Sequence, residues 1–315
     1  MVDFVVGKDD DFGKTLARGF KCEYRSFKQD LYPDGEPYPI IQADYHEMRG
    51  KEVIFAPRSS ASSELRNVAL ELHIYQRIVA SLAAQDQYDS RLDLVYPYFW
   101  LARQDHNPRL DKEESIRRRD KGKDVGYQYI IKAFKALGAR RIVTVNPHFH
   151  RTEGSFEVAG AEIISVTGIP AIARYLKDKI AKNTLVVGPD MSASILSRAL
   201  GQRLDLASSN LLKKRLDPSK VQSHNPLRHE GDDVIICDDS TSTGGTIVKA
   251  VESLKNHGKI PVASVHPAVT STGTQRLLDL KKSGKVQDVF ATDTLQSGFT
   301  KTSVIPEISS LYRKT

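Results

Sequence analysis

The sequence predicts an α/β protein of two similar domains, each a largely parallel sheet flanked by helices. Three observations in the chain carry the α/β reading and the domain number. Short β-branched runs alternate with longer amphipathic segments along the whole length. Several of those runs are apolar at every position, as strands buried on both faces of a parallel sheet are. The 315 residues, at roughly 100–200 per domain, divide into two. No Pro/Gly/Ser-rich linker marks the joint, which falls near residues 157–168. The expected domains are 1–160 and 161–315, with the last ~10 residues packing back on the first.

Taken in order, the expected strands are residues 53–56, 92–96, 141–145, 162–166, 184–187, 233–237, 261–266 and 288–291. A helix over 63–84 carries Leu65, Val68, Leu72, Tyr75, Ile78, Val79 and Leu82 on one stripe. Gly168-Ile169-Pro170 opens another helix, because proline is tolerated in a first turn. A third spans 246–256 and stops at His257-Gly258. Residues 107–123, crowded with charge, and 213–230, polar with two prolines, break the rhythm and read as surface loops.

Composition narrows the class further. Hydrophobic residues make up 40%, too many for a disordered chain. No run of about 18 apolar residues offers a membrane span. Two cysteines, Cys22 and Cys237, cannot build a disulfide framework, and the first residues lack the pattern of a signal peptide, so a reduced, cytoplasmic setting is expected. Lys and Arg outnumber Asp and Glu by 46 to 39, a net charge of +7. That excess points to anionic partners without choosing among nucleic acid, membrane surface and phosphorylated metabolites. The run Arg117-Arg118-Arg119 lacks interleaved aromatics and any nucleic-acid-binding motif, so neither nucleic acid nor membrane is expected.

Three segments are candidate phosphate sites. Gly7 to Thr15 resembles a P-loop, but five residues separate Gly7 from Gly13 where four are required, and three aspartates would repel a polyphosphate; a turn from strand to helix is expected. The second is stronger: Val234-Ile235-Ile236-Cys237, the acidic pair Asp238-Asp239, a loop of small residues to Gly244-Gly245-Thr246, then a helix. Buried Val/Ile brings the chain to the carboxyl edge of a sheet. The glycines let backbone amides turn inward, and the helix start favours an anion. Thr243 and Thr246 add hydroxyls, while the acids suit sugar hydroxyls or a metal, a combination that fits a ribose 5-phosphate. The third, Gly188-Pro189-Asp190 after an apolar strand, is equally an N-cap.

Together these residues resemble the ribose-phosphate pyrophosphokinase family, which makes phosphoribosyl pyrophosphate (PRPP). The stretch Asp238 to Thr246 is similar to its ribose-phosphate loop, shared with phosphoribosyltransferases. Tyr96 to Asp105 resembles its ATP segment, which implies nucleotide contacts for Arg103 and Gln104. Tyr32-Pro33-Asp34-Gly35-Glu36 matches a turn that in the family reaches the adenine of a neighbouring subunit, so Tyr32, Asp34 and Glu36 are implied ATP-side residues of a homo-oligomer, dimer or hexamer. His148 and Asp190 are the implied magnesium-side residues; Lys213 and Arg215 match the catalytic cations of a mobile loop. Asp238, Asp239, Ser242, Thr243, Gly244, Gly245 and Thr246 are implied to hold ribose 5-phosphate. The match departs from the family at Leu101, His106, Asn146 and Ser242, and in the length of the charged stretch 107–123.

The resemblance implies two phosphoribosyltransferase-like domains, Mg2+ as cofactor, and ATP and ribose 5-phosphate as substrates. The implied reaction moves the β,γ-diphosphoryl group of ATP to the C1 hydroxyl of ribose 5-phosphate. Two other readings stay open on the residues: a transferase that consumes PRPP, and a catalytically silent paralogue that regulates or scaffolds an active synthetase.

Overall fold

The computed structural model describes residues 1–34, 37–42, 45–48, 50–58, 71–72, 74–76, 78, 91–104, 125–211, 233–254 and 257–313. The chain forms two compact units: residues 1–167 together with 305–315, and residues 168–304. The expectations for loops at 107–123 and 213–230 lie outside the described residues, as does most of the helix expected over 63–84; residues 71–72, 74–76 and 78 are helical.

The first unit is built on an eight-stranded sheet of order β3-β2-β1-β4-β5-β6-β8-β7. Its strands are β1 (Phe4–Lys8), β2 (Glu23–Leu31), β3 (Pro37–Ile41), β4 (Glu52–Ala56), β5 (Arg91–Val95), β6 (Arg141–Val145), β7 (Gly154–Val158) and β8 (Ala161–Val166). The six central strands pair in parallel, and antiparallel hairpins, β2–β3 and β7–β8, close the two edges. The helices are α1 (Asp11–Phe20), α2 (Gly126–Ala136) and the C-terminal α7 (Ile305–Leu311). Residues 7–15 form the expected turn from β1 into α1, where the Asp10 carboxylate caps the helix by accepting from the Gly13 N–H at 3.1 Å. Tyr75, Tyr96, Phe55, Phe99 and Phe134 fill the core of this unit, and Trp100, partly buried, packs against it.

The second unit carries a six-stranded parallel sheet of order β10-β9-β11-β12-β13-β14. The strands are β9 (Leu185–Gly188), β10 (Ser208–Asn210), β11 (Val234–Ser240), β12 (Pro261–His266), β13 (Asp288–Thr292) and β14 (Thr300–Thr302). Its helices are α3 (Ile169–Leu176), α4 (Ser194–Leu204), α5 (Gly245–Ser253) and α6 (Ser271–Lys282). α3 opens as expected with proline in its first turn. α5 starts one residue earlier and stops sooner than expected: Leu254, buried at 3% exposure, leaves the helix to pack in the core before His257-Gly258 is reached. The outer strands β10 and β14 are three residues long and polar.

Asp93 ties the first unit together. It sits in β5 at 1% exposure and takes two hydrogen bonds from Arg140, at 2.7 and 2.9 Å, and one from Arg141 at 2.6 Å. The Arg141 guanidinium lies 4.6 Å from the ring centre of Tyr312, just beyond α7. Removing one partner of a buried ion pair strands the other, though both arginines keep some water. Asp93→Ala should therefore cost about 2–3 kcal/mol of stability, read as a lowered midpoint in urea unfolding; an unchanged midpoint would show the cluster to be ornamental.

Candidate active site

In the second sheet β9 and β11 are neighbours, yet β10, which lies between them in sequence, pairs on the other side of β9. The strand order reverses there, and ligands of open α/β sheets bind outside the carboxyl ends at such a point. The register sets Leu185, Val186 and Val187 against Val234, Ile235 and Ile236. It therefore brings Asp190, two residues past β9, near Asp238 on β11, close enough for their charges to interact.

Each acid is placed by its backbone. An ideal Cβ at Gly188, the last residue of β9, would lie 2.4 Å from Asn210 Oδ1 and 3.2 Å from the Ala193 backbone, so a side chain there would have to displace Asn210. Asp190 then caps a short 3-10 turn (Met191–Ala193), its carboxylate accepting from the Ser192 N–H at 2.9 Å. Asp238 is 7% exposed. Burial holds its carboxyl well above the usual carboxylate range, and the negative charges of Asp239 and Asp190 push it the same way; the Asp239 N–H, 2.9 Å from Asp238 Oδ1, opposes them. Cys237 is fully buried and its thiol is pushed up, mainly by burial and then by the two acids, which suits a small apolar core residue and not a nucleophile. Two buried hydroxyls at the same strand end, Ser240 Oγ and Thr241 Oγ1, have no partner among the described residues. Buried polar atoms are normally satisfied, so both suit a bound polar ligand. Sequence reasoning passed over them because serine and threonine in a small-residue loop carry no distinguishing pattern.

The loop that follows turns into α5 at Gly244, whose φ of +71° favours glycine. Among the described residues nothing accepts from the N–H groups of Thr243, Gly244, Gly245 or Thr246. Thr243 and Thr246 are exposed, and Ser242 and Gly245 half-buried. The Thr241 N–H donates to the His266 carbonyl at 3.0 Å, fastening the loop to β12. The His266 ring is buried, with Nδ1 2.9 Å from Thr294 Oγ1. The Thr294 hydroxyl donates to the Val265 carbonyl, so the ring nitrogen is the donor in the first contact. Asp293 serves the fold, accepting from the Val304 N–H at 2.8 Å.

The remaining site residues of the sequence reading lie in the first unit or outside the described residues. Arg103 and Gln104 follow β5, exposed, after Leu101 at φ +61°. The Gln104 side chain lies against the first residue of α2: an ideal Cβ on Gly126 would be 2.2 Å from Gln104 Oε1. His148 is half-buried beyond β6. Its neighbour Phe149 stacks on Tyr127 at 3.9 Å and meets Phe99 edge-on at 5.5 Å, drawing the segment that holds His148 against the one that leads to Arg103. Tyr32 and Asp34 are exposed where the chain leaves β2 for β3, the Tyr32 ring 4.4 Å from that of Tyr38. Glu36, Lys213 and Arg215 lie outside the described residues.

Chemically, an acidic strand end beside a loop of open amides at a helix start suits a ligand with hydroxyls at one end and an anion at the other. Among the described residues no three of His, Cys, Asp and Glu stand together as a metal-binding set. Asp190, near Asp238, offers oxygen donors of the kind a hard divalent cation such as magnesium takes. Because the folded pKa of Asp238 is raised, stability is lost as pH climbs from the ordinary carboxylate pKa through the raised one. Asp238→Asn should accordingly raise the melting temperature of the metal-free, ligand-free protein at pH 7, by a gain of about 1 kcal/mol that fades toward pH 4. A lower melting temperature at pH 7 would show that Asp238 stabilises the resting fold.

Comparison with known proteins bears on this geometry. Residues 166–295 match the phosphoribosyl transferase domain model. The chain is 26% identical to a ribose-phosphate pyrophosphokinase of Methanopyrus kandleri, over 98% of its own length and 97% of that protein. It is 28% identical to ribose-phosphate pyrophosphokinase 1 of Archaeoglobus fulgidus, over 89% of each. The fold superposes on the crystal structure of phosphoribosylpyrophosphate synthetase from Mycobacterium smegmatis with a TM-score of 0.74, covering 99% of this chain and 98% of that one at 18% identity. The chain is thus similar, along nearly its whole length, to proteins named ribose-phosphate pyrophosphokinase, and over residues 166–295 to the phosphoribosyl transferase domain.

Proposed function

We propose that the protein is a ribose-phosphate diphosphokinase. It transfers the β,γ-diphosphoryl group of ATP to the C1 hydroxyl of ribose 5-phosphate and releases PRPP and AMP. The observation that carries this reading is the strand end of β11, where the buried Asp238 and the half-buried Asp239 lead directly into a loop of open amides at the start of α5. The whole-length relatives named ribose-phosphate pyrophosphokinase support it.

In this reading the amides and hydroxyls of Ser242, Thr243, Gly244, Gly245 and Thr246 hold the 5-phosphate, and Asp238 and Asp239 hold the ribose hydroxyls. That fixes the anomeric oxygen for in-line attack on the β-phosphorus. The new bond joins O1 to that phosphorus, the bond to the bridging oxygen of the α-phosphate breaks, AMP departs, and the hydroxyl proton is lost to solvent. Arg103 and Gln104 hold the nucleotide, and Tyr32, Asp34 and Glu36 contribute to its adenine side from a neighbouring subunit. Lys213 and Arg215 stabilise charge building on the transferred group, where positioning and electrostatics carry most of the catalysis. His148 and Asp190 are the residues that would hold a magnesium ion, which would supply charge to neutralise the polyphosphate.

A second reading has its own support. The phosphoribosyl transferase domain match covers residues 166–295 alone, and the loop it contains would equally bind PRPP as a substrate. Incubation with magnesium, ATP and ribose 5-phosphate separates the two: AMP and PRPP in equal amounts support the synthetase, while ADP, or no turnover, overturns it. Lys213→Ala should lower kcat about 10^2–10^3-fold with ribose 5-phosphate affinity nearly unchanged; a loss confined to affinity would make Lys213 a ground-state binding residue.

A further inference from the structure

A loop that binds an anion through its N–H groups must keep its carbonyl oxygens turned away, since each carbonyl dipole would oppose the anion's charge. In this protein two consecutive carbonyls of the loop are restrained by one element, the start of α6. The Ser242 carbonyl accepts from the Thr270 N–H at 3.2 Å, and Thr270 in turn caps α6 by accepting from the Gly273 N–H at 3.1 Å. The Thr243 carbonyl accepts from Arg276 Nη1 at 3.0 Å. α6 reaches the loop because Gly273 has no side chain: an ideal Cβ there would lie 2.0 Å from the Ser242 oxygen. The same guanidinium borders the turn, with Nη1 3.9 Å from where a Cβ on Gly245 would stand, and the Arg276 Cβ lies 3.7 Å from the equivalent point on Gly244.

We infer that Arg276 is a positioning residue for the anion-binding loop. By holding the Thr243 carbonyl outward it keeps the N–H groups of residues 243–246 directed to the bound phosphate. The hydrogen bond is charge-assisted, and its acceptor belongs to the peptide whose N–H is that of Gly244, so releasing it frees that peptide to rotate. The inference rests on the proposed ribose 5-phosphate site and names a residue that acts on it from outside, without touching the substrate.

The test is titration calorimetry on the full-length protein, wild type, Arg276→Gln and Arg276→Lys, with ribose 5-phosphate and separately with inorganic phosphate. Steady-state kinetics accompany it. Arg276→Gln should weaken both ligands about tenfold, raise KM for ribose 5-phosphate alike, and leave kcat and the KM for ATP within twofold of wild type. Arg276→Lys, which retains a cationic donor, should recover part of the loss. Arg276 is exposed, so the variants should melt as wild type does; where Arg276→Gln does not fold, Arg276→Lys with weakened phosphate affinity and unchanged kcat still supports the assignment. Wild-type affinity for both ligands in Arg276→Gln, or a fall in kcat at unchanged KM, overturns it. Wild type that takes inorganic phosphate but not ribose 5-phosphate overturns the proposed substrate alone, and the phosphate affinities of the three proteins then decide Arg276. Wild type that binds neither overturns both.

Discussion

The pairing of β9 with β11 is the constraint on which the candidate site depends. Parallel strands hydrogen-bonded in register, with β10 paired on the other side of β9, set two strand ends next to each other. That alignment puts Asp190 within electrostatic reach of Asp238 and starts the loop into α5 at the same level. Everything else at the site either feeds this edge or restrains it. Gly188 leaves room for Asn210 beside it, His266 accepts from the first amide of the loop, and α6 restrains the carbonyls. Burial and the mutual repulsion of the acids raise the Asp238 carboxyl in the resting protein, a cost that a bound cation or diol would relieve.

The first unit has the same kind of strand reversal, between β1 and β4, and handles it differently. Lys8 at the end of β1 pairs with the buried Glu71 at 3.2 Å, and Glu71 also accepts from the Tyr96 hydroxyl at 3.0 Å. Burial raises the Glu71 carboxyl while Lys8 and Tyr96 lower it. Arg58, just beyond β4, pairs with Asp10 at 3.3 Å. Charges of both signs meet one another here, whereas the corresponding edge of the second unit gathers acids. The shared architecture thus carries an edge of paired opposite charges in one unit and, among the described residues, an edge of neighbouring acids in the other.

How much of this was legible in the chain follows from what each signal depends on. Strands buried on both faces announce themselves as continuous apolar runs, so β4, β5, β6, β8, β9, β11, β12 and β13 were readable to within a few residues. The others answer to different rules. β2 reads Glu-Tyr-Arg-Ser-Phe-Lys-Gln-Asp-Leu, with charge interleaved, because the β2–β3 hairpin sits at the sheet's margin. β7, β10 and β14 are polar edge strands. At the site, the acid pair and its loop are contiguous in sequence and so were visible. Thr270, Gly273 and Arg276 arrive from the next βα unit, and nothing in their local sequence marks them; the fold alone brings them to the loop. Ser240 and Thr241 became recognisable only once their burial was known.

The short outer strands of the second sheet bear on how this protein can associate with itself. A sheet recruits another chain through a row of open N–H and C=O groups on its last strand, and the strength of that recruitment grows with the length of the row. Ser208–Asn210 and Thr300–Thr302 give three residues each, lined with hydroxyl, amide and lysine side chains. Neither can template a ladder of useful length. Fusion of this sheet with that of another copy is therefore disfavoured, and association through this unit must rely on side-chain surfaces, whose sequence can encode a chosen partner in a way that backbone pairing cannot.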